Sequence, residues 1–337
     1  MRPGDVPTGG TIRPVIPGPA GRAGRAPSVG TVGLVQTSRA IAIGGVAVLV
    51  IGAAIVVGVS LLNSSESGPE CHVPASGTAA AAGAAGLDLD AVQLQHASTI
   101  NAVGLERGLP ERARIIALAT AWQESTMRNL DYGDRDSVGL FQQRTSQGWG
   151  SVAEIMDPVY ASGKFYDALE QVPDWQDLPL TEAAQAVQYS GFPDAYAKWE
   201  DDATVLATDL GGDVDPQGSC RAGAQTVTAE QPDRAPVTDT AGATAALDTV
   251  LGALQAELGG VKVISIDDDG TGAVLTTTVD GLSAAESARA AAAWAVAHAT
   301  TMDITTVAAD GRTWSDHQWR DGADGVVPGQ VRVIVGS

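Results

Sequence analysis

Apolar and polar positions divide the chain into four kinds of stretch. The first is Ala40–Leu62 (AIAIGGVAVLVIGAAIVVGVSLL), 23 residues without a charge. As a helix rising about 1.5 Å per residue it spans roughly 35 Å, more than the ~30 Å hydrocarbon core of a bilayer. Its rivals are a secretory leader and a buried core helix. The run exceeds the roughly 7–15 residues of a leader's apolar segment and begins late. Asn63-Ser64-Ser65-Glu66 follows it, not a small-residue cleavage pattern. Few core helices are apolar on every face. The pattern predicts a single transmembrane helix, with membrane lipid as the partner of residues 40–62.

Residues 63–86 hold mostly small side chains and read as a flexible linker. From Leu87 to Leu210 the apolar spacing is helical. Asp90–Arg107 ends at Gly108, and Pro110 suits the first turn of a helix whose stripe is Ile115, Ile116, Ala119 and Trp122. Shorter helices are predicted at 151–156, 160–169, 181–190 and 194–210. No strand alternation interrupts them, so 87–220 reads as an all-α domain. A Thr-, Ala-, Pro- and Gln-rich linker over 221–240 follows.

Beyond it the pattern alternates between the two periods. A helix is predicted at 243–258 and strands at 261–266 and 273–280. Ser283 and Glu286 form a capping box opening an Ala-rich helix to about His298. Strands at 304–308, 312–315 and 331–335 complete a small α+β domain over 241–337.

Charge gives these pieces an orientation. Residues 1–39 contain Arg2, Arg13, Arg22, Arg25 and Arg39 against the single acid Asp5, whereas the whole chain carries −20. After residue 62 no Lys or Arg appears until Arg107. The positive-inside rule places a disordered basic tail, 1–39, in the cytoplasm and everything past residue 62 outside. The acidic remainder argues against nucleic acid as a partner. Cys71 and Cys220, the only cysteines, fall on the outer side and bracket the helical region. Two free thiols are the plain alternative. The compartment and the bracketing favour a disulfide.

The chemistry centres on residues 121–144, AWQESTMRNLDYGDRDSVGLFQQR. On a helix Glu124 shares a face with Ala117, Thr120 and Ala121, all small, while Ile115, Leu118 and Trp122 point elsewhere. A carboxyl on such a face can line a groove, where partial burial raises its pKa toward a general acid's range. The bland reading is a surface Glu at a helix end, which the helix dipole disfavours. Asp131, Asp134 and Asp136 are first of all a solvated loop, then candidate substrate-positioning or secondary carboxylates, and last a metal site, for which the calcium-loop spacing is absent. Trp149 sits between Gly148 and Gly150, equally suited to a core anchor or to stacking on a sugar. His72, His96, His298 and His317 show no partner spacing. No Ser-His-Asp order, phosphate loop or zinc motif is visible, and no cofactor or metal is called for.

Gln123-Glu124-Ser125 followed by Gly139-Leu140-Phe141-Gln142 resembles the paired motifs of the lytic transglycosylase and goose-type lysozyme-like superfamily. Ala186-Val187-Gln188-Tyr189-Ser190-Gly191 is a candidate for that family's third element, with Ser in place of its Asn and one residue fewer. The surrounding string resembles actinobacterial membrane-anchored envelope proteins. The resemblance covers Leu87 to Leu210 and implies a lysozyme-like fold there; joined to the patterning above, the chain reads as a mainly α lysozyme-like domain plus a small C-terminal α+β domain, behind a single transmembrane helix.

The activity it implies is cleavage of peptidoglycan between N-acetylmuramic acid and N-acetylglucosamine. Glu124 would act as acid and then base, yielding a 1,6-anhydro product. Ser125, Gln142, Gln143, Trp149 and Tyr189 are the corresponding substrate-side candidates, Tyr189 also as a hydrogen-bond partner of Glu124. Glycan strands would be the substrate, and the C-terminal domain the surface for envelope-protein partners. The rival is a lysozyme-fold scaffold that binds glycan or protein without turnover.

Overall fold

A computed structural model describes residues 70–189, 193–221, 237, 240–322 and 325–336. The predicted tail 1–39, the apolar run 40–62 and most of the linker 221–240 lie outside them. Among the described residues no helix is long and apolar enough to cross a membrane.

The chain enters through strand β1 (Glu70–Val73), a one-turn helix α1 (Gly77–Ala81) and strand β2 (Leu87–Asp90). Asp90 then caps α2 (Ala91–Glu106) in a capping box with Gln93, and α3 (Glu111–Ser125) follows the Gly108–Pro110 turn. A hairpin of β3 (Ser137–Val138) and β4 (Gln143–Arg144) leads to α4 (Val152–Ile155), α5 (Pro158–Leu169) and α6 (Leu180–Gln188). A 3₁₀ segment, Pro193–Trp199, runs into α7 (Glu200–Leu210), and β5 (Ser219–Cys220) returns beside β1. Cys71 is paired in register with Cys220, and the two form a disulfide.

The C-terminal part contains α8 (Ala245–Leu258), β6 (Lys262–Ile266), β7 (Gly272–Thr276), α9 (Ala284–Ala297), α10 (Ala299–Met302), β8 (Ile304–Ala309), β9 (Arg312–Ser315), β10 (Gln318–Asp321) and β11 (Val331–Val335). Its strands form one six-stranded sheet in the order β10-β9-β8-β11-β7-β6, antiparallel throughout. Ser283 and Glu286 make the predicted capping box at the start of α9.

The expected mainly α architecture behind a transmembrane helix is therefore corrected. Among the described residues, ten α-helices and a six-stranded antiparallel sheet make a mixed α and β fold, with no membrane-crossing helix. The helical part is not all-α either, because the β2-β1-β5 sheet frames it. Residues 70–86, read as linker, carry β1 and α1. Two- and four-residue strands are too short to show an alternating pattern, and tertiary pairing decides them.

α2 explains why the helical and sheet parts belong to one compact unit, Ser65–Ser337. Every residue from Ala97 to Leu105 is buried. Ala97, Ile100 and Val103 enter the core of the helical part, while Ala102 and Leu105 enter the core of the sheet part. A polar contact reinforces this junction. The carboxylate of Glu257 on α8, 2% exposed, accepts from Thr99 Oγ1 of α2 (2.9 Å) and from Trp294 Nε1 of α9 (2.7 Å). A buried carboxylate held by donors from two other helices fixes their register.

Asp209, near the end of α7, plays a similar part for the strand that carries Cys220. Its side chain is buried and accepts from the amides of Gln217 (2.7 Å) and Gly218 (3.1 Å). Burial pushes its pKa up to about 6 against the pull of those amides and of Arg312. The folded protein thus holds a proton on Asp209 more tightly than the unfolded chain does. That stability contribution is complete below the ordinary pKa of 3.8 and is lost as pH rises through about 6. An Asp209→Asn variant, neutral at every pH, loses this dependence. Its stability relative to wild type improves between about pH 4 and pH 7. Urea midpoints at the two ends of that range measure the effect, and a constant difference refutes it.

Candidate functional site

The end of α3 sets the geometry. Immediately after Glu124 and Ser125, two non-glycine residues take the left-handed conformation, Thr126 (φ 55°) and Met127 (φ 58°). Such residues persist only where their surroundings over-determine them. Here Gln93 Nε2 donates to the Thr126 carbonyl (3.1 Å), and a ring nitrogen of His96 lies 2.7 Å from the Met127 carbonyl oxygen. α2 therefore holds the reversal that leaves Glu124 at the edge of the helix.

Ser125 is one residue on, roughly 100° around the helix, and points into the protein. It is buried; its Oγ donates to the Leu140 carbonyl (2.7 Å) and accepts from the Arg128 amide (3.2 Å). Ser125 joins the helix end to the Gly139–Gln142 turn instead of facing a substrate.

That turn closes the β3–β4 hairpin, in which Ser137 pairs with Arg144 and Val138 with Gln143. Gly139 has φ 80°, and a Cβ there would lie 2.7 Å from the Ile155 carbonyl oxygen, so the turn requires glycine. Gln142 Nε2 folds back onto the carbonyls of Gly139 (3.2 Å) and Tyr132 (3.3 Å). Gln143 is 2% exposed, and its Nε2 donates to the Ala161 carbonyl (3.1 Å).

Asp136 pins the other side of the hairpin, accepting from Arg144 Nε (2.8 Å) and from the Ser146 amide (2.8 Å). The Ser146 amide, Arg144 and the Ser146 hydroxyl hold its carboxyl well below the usual carboxylate range. Asp131 and Asp134 are exposed.

These elements and the end of α6 enclose a cleft of about 820 Å³. Glu124, Asp134, Gln142, Gln143, Trp149, Gln188 and Tyr189 line it. Asp131 is not among its lining residues. Trp149 is held in place through Gly150, where φ is 135° and a Cβ would sit 2.6 Å from Tyr160 Oη. The same Tyr160 hydroxyl donates to the Trp149 carbonyl (3.2 Å). Tyr189 caps α6 in the left-handed conformation and is 86% exposed at the cleft.

The partner of Glu124 is Tyr196, whose hydroxyl donates to Glu124 Oε1 at 2.7 Å. Tyr189 is not that partner. Burial raises the Glu124 pKa above the ordinary carboxylate value, with the Tyr196 and Gln188 side chains pulling the other way. Gln188 also donates through Nε2 to the Phe141 carbonyl (2.8 Å), tying α6 to the Gly139–Gln142 turn. Neither Tyr196 nor Gln188 stood out in the sequence as a partner of Glu124, though Gln188 lies within the third motif. Ser190 and Gly191 of the third motif fall outside the described residues.

Among the described residues no group of three His, Cys, Asp or Glu side chains is placed to hold a metal ion. No protein-family model matches the chain, and no curated protein matches it.

Proposed function

We propose that this protein cleaves the glycan strands of peptidoglycan outside the cytoplasm, with Glu124 as a general acid and then a general base. The observation that carries the reading is Glu124 itself. It is a carboxyl whose burial favours its protonated form, held by Tyr196 and opening onto a cleft with Trp149 and Tyr189. A pKa raised toward neutrality is what proton donation to a glycosidic oxygen needs.

The reaction balances without water. The Glu124 proton goes to the oxygen linking N-acetylmuramic acid to its neighbour, and the C1–O bond breaks. The muramyl 6-hydroxyl then bonds to C1 and returns its proton to the Glu124 carboxylate, leaving a 1,6-anhydro end. This route needs a single carboxylate, whereas the two-carboxylate hydrolases need a second one across the sugar. Asp136 is committed to the hairpin and Asp131 stands away from the cleft lining, so of the three loop aspartates only the exposed Asp134 lines the cleft as the second carboxylate a hydrolase would need. The disulfide suits an oxidising compartment.

The test is to incubate the purified protein with sacculi and analyse the released muropeptides by mass spectrometry. Anhydro ends support the reading, and reducing ends replace it with a hydrolase. Binding without release replaces it with a scaffold.

Tyr196→Phe gives a finer check. The hydroxyl stabilises the ionised Glu124, so its removal moves the alkaline limb of the pH–rate profile to higher pH. The maximal rate falls about tenfold, as for the loss of one charge-assisted hydrogen bond. An unshifted limb removes Tyr196 from the positioning role.

A further inference from the structure

A second cleft, of about 690 Å³, opens where the turn before α3 and the end of α7 meet the Asp280–Leu282 loop. Arg114 lines it and is only 3% exposed. Arg114 and Glu124 are ten residues apart on α3, about 15 Å along the helix axis, so the two clefts are separate. The hydrogen bonds of Arg114 go to neutral acceptors. Nη1 donates to Asn101 Oδ1 (2.7 Å) and to the Ala207 carbonyl (3.1 Å), and Nε has no partner among the described residues. A guanidinium this deeply buried without a carboxylate bonded to it carries a desolvation cost that a bound anion would offset.

The other charges around the cleft have the opposite sign. Glu111, Asp213 and Asp280 line it. Glu111 is steadied by the Thr208 hydroxyl (3.1 Å), and Asp213 and Asp280 are exposed. Gly211 keeps the space between cation and acid clear. A Cβ there would lie 2.9 Å from Arg114 Nη1 and 3.3 Å from Asp213 Oδ2. A plain anion entering this cleft meets three carboxylates, and a plain amine leaves Arg114 Nε without an acceptor. A ligand carrying both charges satisfies both sides.

We propose that this cleft is a binding site for an amino-acid zwitterion, its carboxylate toward Arg114 and its ammonium toward Glu111, Asp213 and Asp280. The volume lies in the range of small-molecule sites and accommodates either a free α-amino acid or a short peptide bearing both charged ends. The proposal stands independently of glycan cleavage.

Isothermal titration of the full-length chain tests it with alanine, alanyl-alanine, acetate and ethylamine as probes. Saturable binding of alanine or alanyl-alanine with Kd on the order of 1 mM or tighter is expected, with none for acetate or ethylamine. The tighter of the two binders tells a free amino acid from a peptide. Asp213→Asn with Asp280→Asn, both at exposed positions, weakens binding at least about fivefold, equivalent to ~1 kcal/mol. Arg114→Met abolishes binding, and if that variant does not fold the rim pair carries the test. Glu124→Gln leaves this binding unchanged whether or not it stops glycan release. Failure of both zwitterions to bind, acetate binding as tightly as alanine, or indifference to the rim substitutions each overturns the proposal.

Discussion

Glu124→Gln ends the release of anhydro-muropeptides, with a loss of about 10³–10⁴-fold in rate, the upper part of what general acid–base catalysis supplies. Glutamine keeps the shape of the side chain and can still accept the hydrogen bond that Tyr196 donates at 2.7 Å. It has no proton to give to the glycosidic oxygen and cannot take one from the 6-hydroxyl. Because the same group serves in both halves of the reaction, one substitution removes both contributions.

The pH dependence has a fixed sign. Burial raises the Glu124 pKa, so the reactive protonated form survives to higher pH than for an exposed glutamate, and activity falls as pH rises through that value. Thermal melts of the variant should match wild type or exceed it, since a buried carboxyl that no longer ionises costs less to bury. Release undiminished in Glu124→Gln, with a folded variant, rules out Glu124 as the acid.

Replacing Cys71 and Cys220 by alanine gives the largest expected change in stability. The bridge closes a loop with a sequence separation of 149 residues. In the chain-entropy picture a closure of that length stabilises the fold by about 5 kcal/mol. A domain is typically stable by only about 5–15 kcal/mol, so the double variant loses from about a third to nearly all of that stability. Denaturant titration of the oxidised protein, the reduced protein and the double variant measures this. Reduced protein and variant should agree, both well below the oxidised form, and a gap under about 1 kcal/mol contradicts the loop-closure account. Both cysteines are about 1% exposed. Reduction of the native state therefore requires opening of the β2-β1-β5 sheet and is slow.

How far the sequence spoke for itself depended on the length of each element. α2, α3, α8 and α9 announce themselves because apolar residues recur over three or more turns, and the Ser283–Glu286 box marks its helix start to the residue. β7 and β11 were legible for the same reason, as β-branched runs bounded by turn residues. β1 and β5 were not, because a strand of two to four residues among Ala, Ser and Gly is chosen by its partner and not by its own pattern. Within the site, the small-residue face of α3 was readable and pointed at Glu124.

Which tyrosine meets that carboxyl was not readable. Tyr189 and Tyr196 are seven positions apart, and the choice between them depends on the left-handed cap at Tyr189, which exposes its ring, and on the 3₁₀ segment that buries Tyr196. Ser125 is the reverse lesson. The resemblance implied a substrate-side role for it, while the helical rotation between neighbours sends Glu124 to the cleft and Ser125 to the Leu140 carbonyl. Arg114 gave no signal at all, since its isolation emerges only once Asn101 and Ala207 are seen to be its partners.

The adjacency of Cys71 and Cys220, with Cα atoms 3.9 Å apart, also decides how the molecule transmits force. A pull applied on either side of this sheet runs through one covalent bond. The residues between the cysteines, the whole Glu124 cleft among them, carry no load. Stretched by its ends, the oxidised chain would extend about 500 Å less than the reduced one. The cleft would keep its shape under tension that unravels the rest.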